Sequence, residues 1–166
     1  MGTAYDFRCK KCGYTISGRF GIGFRFPMVY EQTITAARNG ELGKEIQQFL
    51  NEHPDGAIDV SNTLAICSQC GEYENVQNLT MYLPKENVTL PEKDPNQRWS
   101  VAMPFYGKDY VSPRELNDYY KVFAKYPHKC KRCGGELNCL SESATEKYKC
   151  PNCHSVMERD GMIHWD

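Results

Sequence analysis

The sequence predicts a small α+β protein. Two units of short antiparallel β-strands carry CxxC turns, the first unit holds a helical insertion, and a further helix connects the two. Three observations predict this. Eight of the nine cysteines fall into four CxxC pairs distributed from Cys9 to Cys153. The 54 residues between the first two pairs contain apolar positions at helical spacing. Between the second and third pairs, Ser112-Pro113-Arg114-Glu115 forms a capping box with Pro at the first helical position. The expected partition is residues 1–83 for the first unit with its insertion at about 27–53, 84–127 for a Pro-rich arm and amphipathic helix, and 128–166 for the second unit.

The elements follow in order. Tyr14 to Phe26 alternates aromatic, Gly and Arg residues and reads as strand or hairpin. Pro27 suits a first helical turn and Asn39-Gly40 a stop. A second helix places Leu42, Ile46, Phe49 and Leu50 on one face, and Pro54-Asp55-Gly56 ends it. Ile58–Ile66 is expected as one strand into the second CxxC turn, and Glu72–Leu83 as one strand out of it. Pro84, Pro91 and Pro95 mark residues 84–98 as linker or extended arm, and Trp99–Tyr110 as an aromatic stretch that packs. The capped helix is expected over 113–125, with Leu116, Tyr119, Tyr120, Phe123 and Ala124 as its apolar stripe and Pro127 limiting it. Strands around Glu136–Leu140 and Tyr148 follow, then Val156–Ile163 turning at Asp160-Gly161.

Apolar residues make up 40 % of the 166, and mean hydropathy is −0.64. Such a core needs further support. No apolar run approaches the ~20 residues that span a bilayer, and the opening MGTAYDFRCKKCG is not a basic-then-apolar leader. The expectation is a cytoplasmic protein with no membrane partner. Formal charge is −1, falling to about −5 if eight thiolates hold two divalent ions. Domains that grip phosphates carry a positive surplus instead.

The pairs read CKKC (Cys9, Cys12), CSQC (Cys67, Cys70), CKRC (Cys130, Cys133) and CPNC (Cys150, Cys153). Two intervening residues let both sulfurs converge on one ion while the backbone turns N–H groups toward them. Gly13, Gly71 and Gly134 follow three of the pairs and permit the positive φ such a turn needs. The 16 residues between Cys133 and Cys150 match a zinc spacing. Disulfides call for an oxidising compartment, and an odd count argues against them. Four copies flanked by Gly and Lys do not read as a thioredoxin-like pair. Cys150–His154 fits haem attachment only with an export signal.

CKKCGY…CSQCG and CKRCGG…CPNCH resemble the knuckles of the zinc-ribbon, or rubredoxin-like, superfamily over roughly residues 5–16, 64–83 and 128–166. The chain also resembles bacterial tandem zinc-ribbon proteins with an inserted helical segment, to which no activity attaches. The resemblance implies two zinc ribbons: Cys9, Cys12, Cys67 and Cys70 at one metal, and Cys130, Cys133, Cys150 and Cys153 at another, hence two zinc ions per chain. The 16-residue spacing and the Pro-rich linker favour the same sequential pairing over a cross-brace of first with third and second with fourth pairs. The fourth knuckle departs from the pattern with His154 where Gly is common. Tetrathiolate shells suit zinc or iron almost equally, but the 54-residue gap is unlike a compact rubredoxin.

Arg8, Lys10, Lys11, Lys129, Lys131, Arg132, Lys147 and Lys149 crowd the knuckles. They read as counter-charges to thiolates in preference to a nucleic-acid surface. Residues 27–66, with six acidic and two basic side chains, would repel a polyanion. His53, His128, His154 and His164 lack a partner motif, and no GxSxG, HExxH or P-loop occurs. His128 and His154 are expected to hydrogen-bond knuckle sulfur, and Cys139 to be a non-ligand. The expected function is a non-enzymatic zinc-binding module presenting its helical insertion and aromatic arm to a protein partner. A nucleic-acid-associated ribbon and a rubredoxin-like iron electron carrier are the alternatives.

Overall fold

The structure is a computed structural model that describes residues 2–23, 26–93, 110–143 and 148–165. The chain runs β1 (Gly2–Arg8), β2 (Thr15–Phe20), α1 (Phe26–Arg38), α2 (Lys44–Glu52), β3 (Ala57–Ile58) and β4 (Asn62–Cys67). It continues with β5 (Tyr73–Gln77), β6 (Met81–Pro84), α3 (Pro113–Tyr119), β7 (Tyr120–Ala124), β8 (Leu137–Cys139) and β9 (Glu158–Trp165). The described residues thus form a small α+β fold with three helices and three three-stranded antiparallel sheets, ordered β2-β1-β9, β5-β4-β8 and β3-β6-β7. None of these helices is long and apolar enough to cross a membrane.

The chain divides into two compact units, and these cut across the expected partition at residues 83 and 127. One unit comprises Met1–Phe24, Ser61–Asn78 and Pro127–Asp166; the other comprises Arg25–Val60 and Leu79–Tyr126. In the first unit, β1 is central in its sheet. It pairs with β2 and, over its full length, with β9 from the far end of the chain. Period-two alternation turns Tyr5 and Phe7 inward with Phe20, Leu64, Tyr73, Tyr148 and Met157. Phe7 and Leu64 are fully buried, and the Phe7 and Tyr148 rings lie 4.8 Å apart. A second, smaller cluster joins Ala65, Cys67, Cys130 and Leu137. Asn75 ties β5 to β2, accepting the Arg19 N–H and donating to the Ser17 carbonyl, both at 2.8 Å.

Several strand expectations change. Ile58–Ile66 is two strands, β3 and β4, and Glu72–Leu83 is likewise β5 and β6. Leu79, at φ 56, breaks the second of these; its N–H donates to Asp59 O and Thr80 O accepts the Asp59 N–H. Asp160-Gly161 is not a turn. It lies inside β9, where the ladder to β1 slips between Asp6 and Phe7, leaving Asp160 as the extra residue of a bulge.

In the second unit the insertion is a helical hairpin. Helix α1 buries Phe26, Pro27, Tyr30, Thr33, Ile34 and Ala37, and α2 buries Ile46, Phe49 and Leu50. Gly40, at φ 81, reverses the chain between them. The Ser112–Glu115 capping box forms with both hydrogen bonds present. The helix it starts is shorter than expected, because Tyr120–Ala124 forms β7 and pairs with β6. Tyr119 O accepts the Lys85 N–H, and the Lys85 ammonium donates to Asn117 and Asp118 carbonyls, so the last turn is closed by the residue that follows β6. Of the predicted stripe, Leu116 and Tyr120 are buried while Phe123 is exposed. The last five residues of the Pro-rich linker and all of the aromatic stretch but Tyr110, residues 94–109, lie outside the described residues.

Candidate metal centres

Each CxxC turn has the same backbone plan. The N–H of the first cysteine donates to the carbonyl five residues on: Cys9 to Tyr14, Cys67 to Glu72, Cys130 to Gly135 and Cys150 to Ser155, at 2.8–2.9 Å. The N–H four residues on donates back to that cysteine's carbonyl, from Gly13, Gly71, Gly134 and His154, at 2.8–3.1 Å. The donor residue takes positive φ in every case: 77°, 71°, 74° and, for His154, 59°. The local pattern therefore survives the Gly-to-His departure, with a non-Gly residue in a left-handed conformation.

The eight cysteines form two groups, but not in the expected order. Cys9 and Cys12 meet Cys150 and Cys153; Cys67 and Cys70 meet Cys130 and Cys133. This nested arrangement corrects the sequential pairing and is not the cross-brace either. Sheet registry is the reason. In the β1–β9 ladder Arg8 faces Glu158, which delivers Cys9 to the strand entered from the fourth turn. In the β4–β8 ladder Cys67 faces Leu137, which sets the second turn against the third. Residues 130–153 match a zinc spacing in sequence, yet their two turns leave toward different strands.

Within each group all four sulfurs lie within 4.8 Å of one another. Across the two turns of each group the sulfurs approach to 3.4 Å for Cys9–Cys153 and Cys12–Cys150, 3.4 Å for Cys67–Cys133 and 3.7 Å for Cys70–Cys130. These are far beyond a disulfide bond and close to the roughly 3.8 Å edge of a tetrahedron with 2.3 Å metal–sulfur bonds. In each group two cysteines are buried, one is half-buried and one is exposed.

Electrostatics also favour a cation. The Cys70 N–H is foremost in holding Cys67 down to about 6, and Ser155, through N–H and hydroxyl, holds Cys153 to about 6. Cys12 and Cys130 go the other way. The Tyr14 and Cys133 N–H groups pull them down, but thiol hydrogen bonds (Cys150 to the one, Cys67 to the other) and burial push both up to about 12. Four sulfurs this close do not all ionise unaided, whereas a divalent ion among them reverses that. The donor set and spacing fit a four-coordinate thiophilic metal, and each four-cysteine group can hold one.

The flanking cations engage carboxylates. Lys10 pairs with Glu158 at 2.5 Å, Arg132 with Glu72 at 2.9 Å and Lys131 with Glu74 at 3.9 Å. The Glu74 carboxylate also accepts the Lys131 N–H at 2.7 Å. Glu72 accepts the Tyr14 hydroxyl at 2.7 Å. That hydroxyl first, and Arg132 after it, keep the Glu72 carboxyl below its ordinary range against burial. Sequence reasoning passed over Glu72, Glu74, Tyr14 and Tyr73; the signal available was the acidic, alternating Glu72-Glu74 pair just after a knuckle, opposite in sign to Lys131-Arg132. His128 Nε2 donates to Asn78 O at 3.0 Å. His154 serves as the turn residue, and Cys139 sits exposed on β8 opposite Ala65, outside both groups.

Compared with protein-family models, with curated proteins and with solved structures, the chain matches none.

Proposed function

We propose that each four-cysteine group holds one zinc ion, and that the protein is a non-enzymatic module whose two closed centres fix a scaffold for a protein partner in a reducing, cytoplasmic setting. The observation that carries this is the assembly of eight of nine cysteines into two four-sulfur groups. Bound zinc would supply a cross-link and no Lewis acidity, since four sulfurs complete its shell. It would contribute roughly 10–16 kcal/mol per site at pH 7, which suits a chain with modest apolar content. Cys9, Cys12, Cys150 and Cys153 would join the two ends of the chain, and the other four would join its middle.

A protein partner is supported by exposed large apolar side chains, Met28, Val122, Phe123, Met162 and Ile163. The acidic pairing of Lys10, Lys131 and Arg132 reduces what those cations offer to phosphates. Elemental analysis of protein produced without excess metal is expected to give two zinc ions per chain and no visible colour. Coloured protein with iron would overturn the zinc assignment in favour of electron transfer. Oligonucleotide titration at about 150 mM salt is expected to show weak, salt-sensitive binding at most. Sub-micromolar, sequence-dependent affinity would favour a nucleic-acid partner instead.

A further inference from the structure

Glu72 lies where the two centres meet. Its carbonyl accepts the Cys67 N–H at 2.9 Å and so closes the second turn. One carboxylate oxygen accepts the Tyr14 hydroxyl at 2.7 Å, and the Tyr14 carbonyl closes the first turn by accepting the Cys9 N–H at 2.8 Å. The other oxygen accepts Arg132 Nη1 at 2.9 Å, and Arg132 lies between Cys130 and Cys133 in the third turn. The next residue reaches the fourth turn. The Tyr73 hydroxyl donates to the Lys149 carbonyl at 2.9 Å and accepts the Lys149 N–H at 3.1 Å, one residue before Cys150. Two consecutive side chains thus touch the turns of both sulfur groups.

We infer that Glu72 is a positioning residue shared by the two centres and that the centres load metal cooperatively through it. The inference rests on the reading that each group binds an ion. An ion at the first centre orders the Cys9–Tyr14 turn, which sets the Tyr14 hydroxyl on Glu72. That contact in turn holds the Cys67–Glu72 turn and, through Arg132, the third turn. The second ion then meets turns already ordered, so the conformational cost is met largely once. Coupling of this kind is reciprocal: loading the second centre first helps the first by the same factor. The exposed Arg132 contact alone is weak; the link is the continuous path from Tyr14 through Glu72 to Arg132.

The test measures each centre separately. Full-length chain loaded with NMR-active cadmium is expected to give one resonance per tetrathiolate, assigned by losing one in Cys12→Ser and the other in Cys133→Ser. Chelator competition then gives the affinity of each centre in the wild type, Tyr14→Phe, Arg132→Gln and the double variant. Tyr14→Phe, altered beside the first centre, is expected to weaken the second by roughly fivefold or more. Arg132→Gln is expected to weaken the first by a similar factor. In the double variant neither cross-effect grows, because either change alone breaks the path. Substitutions that weaken only their own centre would overturn the inference. The Arg132 side chain is 63 % exposed, so its replacement spares the packing and decides the matter alone if Tyr14→Phe does not fold. A wild type lacking either resonance would overturn the two-metal reading instead.

Discussion

His154 carries a conformation that its three counterparts leave to glycine. At φ 59 it donates its N–H to Cys150 O as Gly13, Gly71 and Gly134 do in their turns. A left-handed backbone costs an L-residue roughly 1–2 kcal/mol, and His154 is exposed, with no burial to compensate. His154→Gly is therefore expected to stabilise the metal-loaded protein by about 1 kcal/mol. A higher urea midpoint at unchanged slope would show it, and a lower midpoint would mean that the imidazole has a role in the turn. Cys139 gives the opposite kind of test. It lies outside both sulfur groups, so Cys139→Ser is expected to leave metal content by native mass spectrometry at the wild-type value. Loss of an ion would place this thiol in a ligand set.

Among the elements, α3 shows where a local signal stops. Ser112, Pro113 and Glu115 start the helix as their spacing predicts, because capping is settled within one turn of chain. Its end is not settled that way. Tyr119, Tyr120 and Phe123 fit a helical stripe, yet the backbone from Tyr120 to Ala124 bonds to β6, and the strand-favouring Val122 and Phe123 accept that geometry readily. Glu115 also pairs with Lys93 at 2.8 Å. Burial pushes its carboxyl up, but Lys93 and the Ser112 N–H and hydroxyl outweigh it, so the group sits below its ordinary value. A depressed carboxyl stabilises the fold above the unfolded pKa, and that contribution is lost as pH falls through the folded value. Glu115→Gln keeps a capping acceptor and removes the charge. It is expected to speed amide exchange across α3 at neutral pH, with the difference from wild type shrinking as the pH drops below the ordinary carboxylate range. A difference that persists in acid would assign the effect to packing.

At the scale of the whole molecule, the nested cysteine pairing makes both ends of the chain necessary to one centre. Residues 1–98 contain Cys9, Cys12, Cys67 and Cys70, two from each group. Such a fragment lacks β8 and β9, the strands that bring the other halves in. It is expected to bind no zinc at stoichiometric concentration, as read by native mass spectrometry or a chromophoric chelator. Uptake of one tightly held ion would restore the sequential pairing. The same topology places the helical hairpin, β3, β6, α3 and β7 in a unit made of two chain segments, each entered and left through the cysteine-bearing unit.

Taken alone, the sequence determined what is decided over a few residues. The CxxC pairs and their glycines specify turns closed by hydrogen bonds five residues apart or fewer. Helical spacing and Asn39-Gly40 specify the α1–α2 hairpin, and the capping box specifies where α3 begins. The eight candidate ligands were legible for the same reason, since each pair converges within its own turn. Which pairs share an ion was left to tertiary structure. That choice depends on β1 finding β9 and β4 finding β8, contacts between residues 70 or more positions apart whose strands carry no mark of their partners. The roles of Tyr14, Glu72 and Arg132 were equally hidden, because three side chains from three turns become neighbours only once those ladders have formed. Short-range hydrogen bonding writes itself into spacing; long-range registry is set by which buried faces fit, and spacing does not record it.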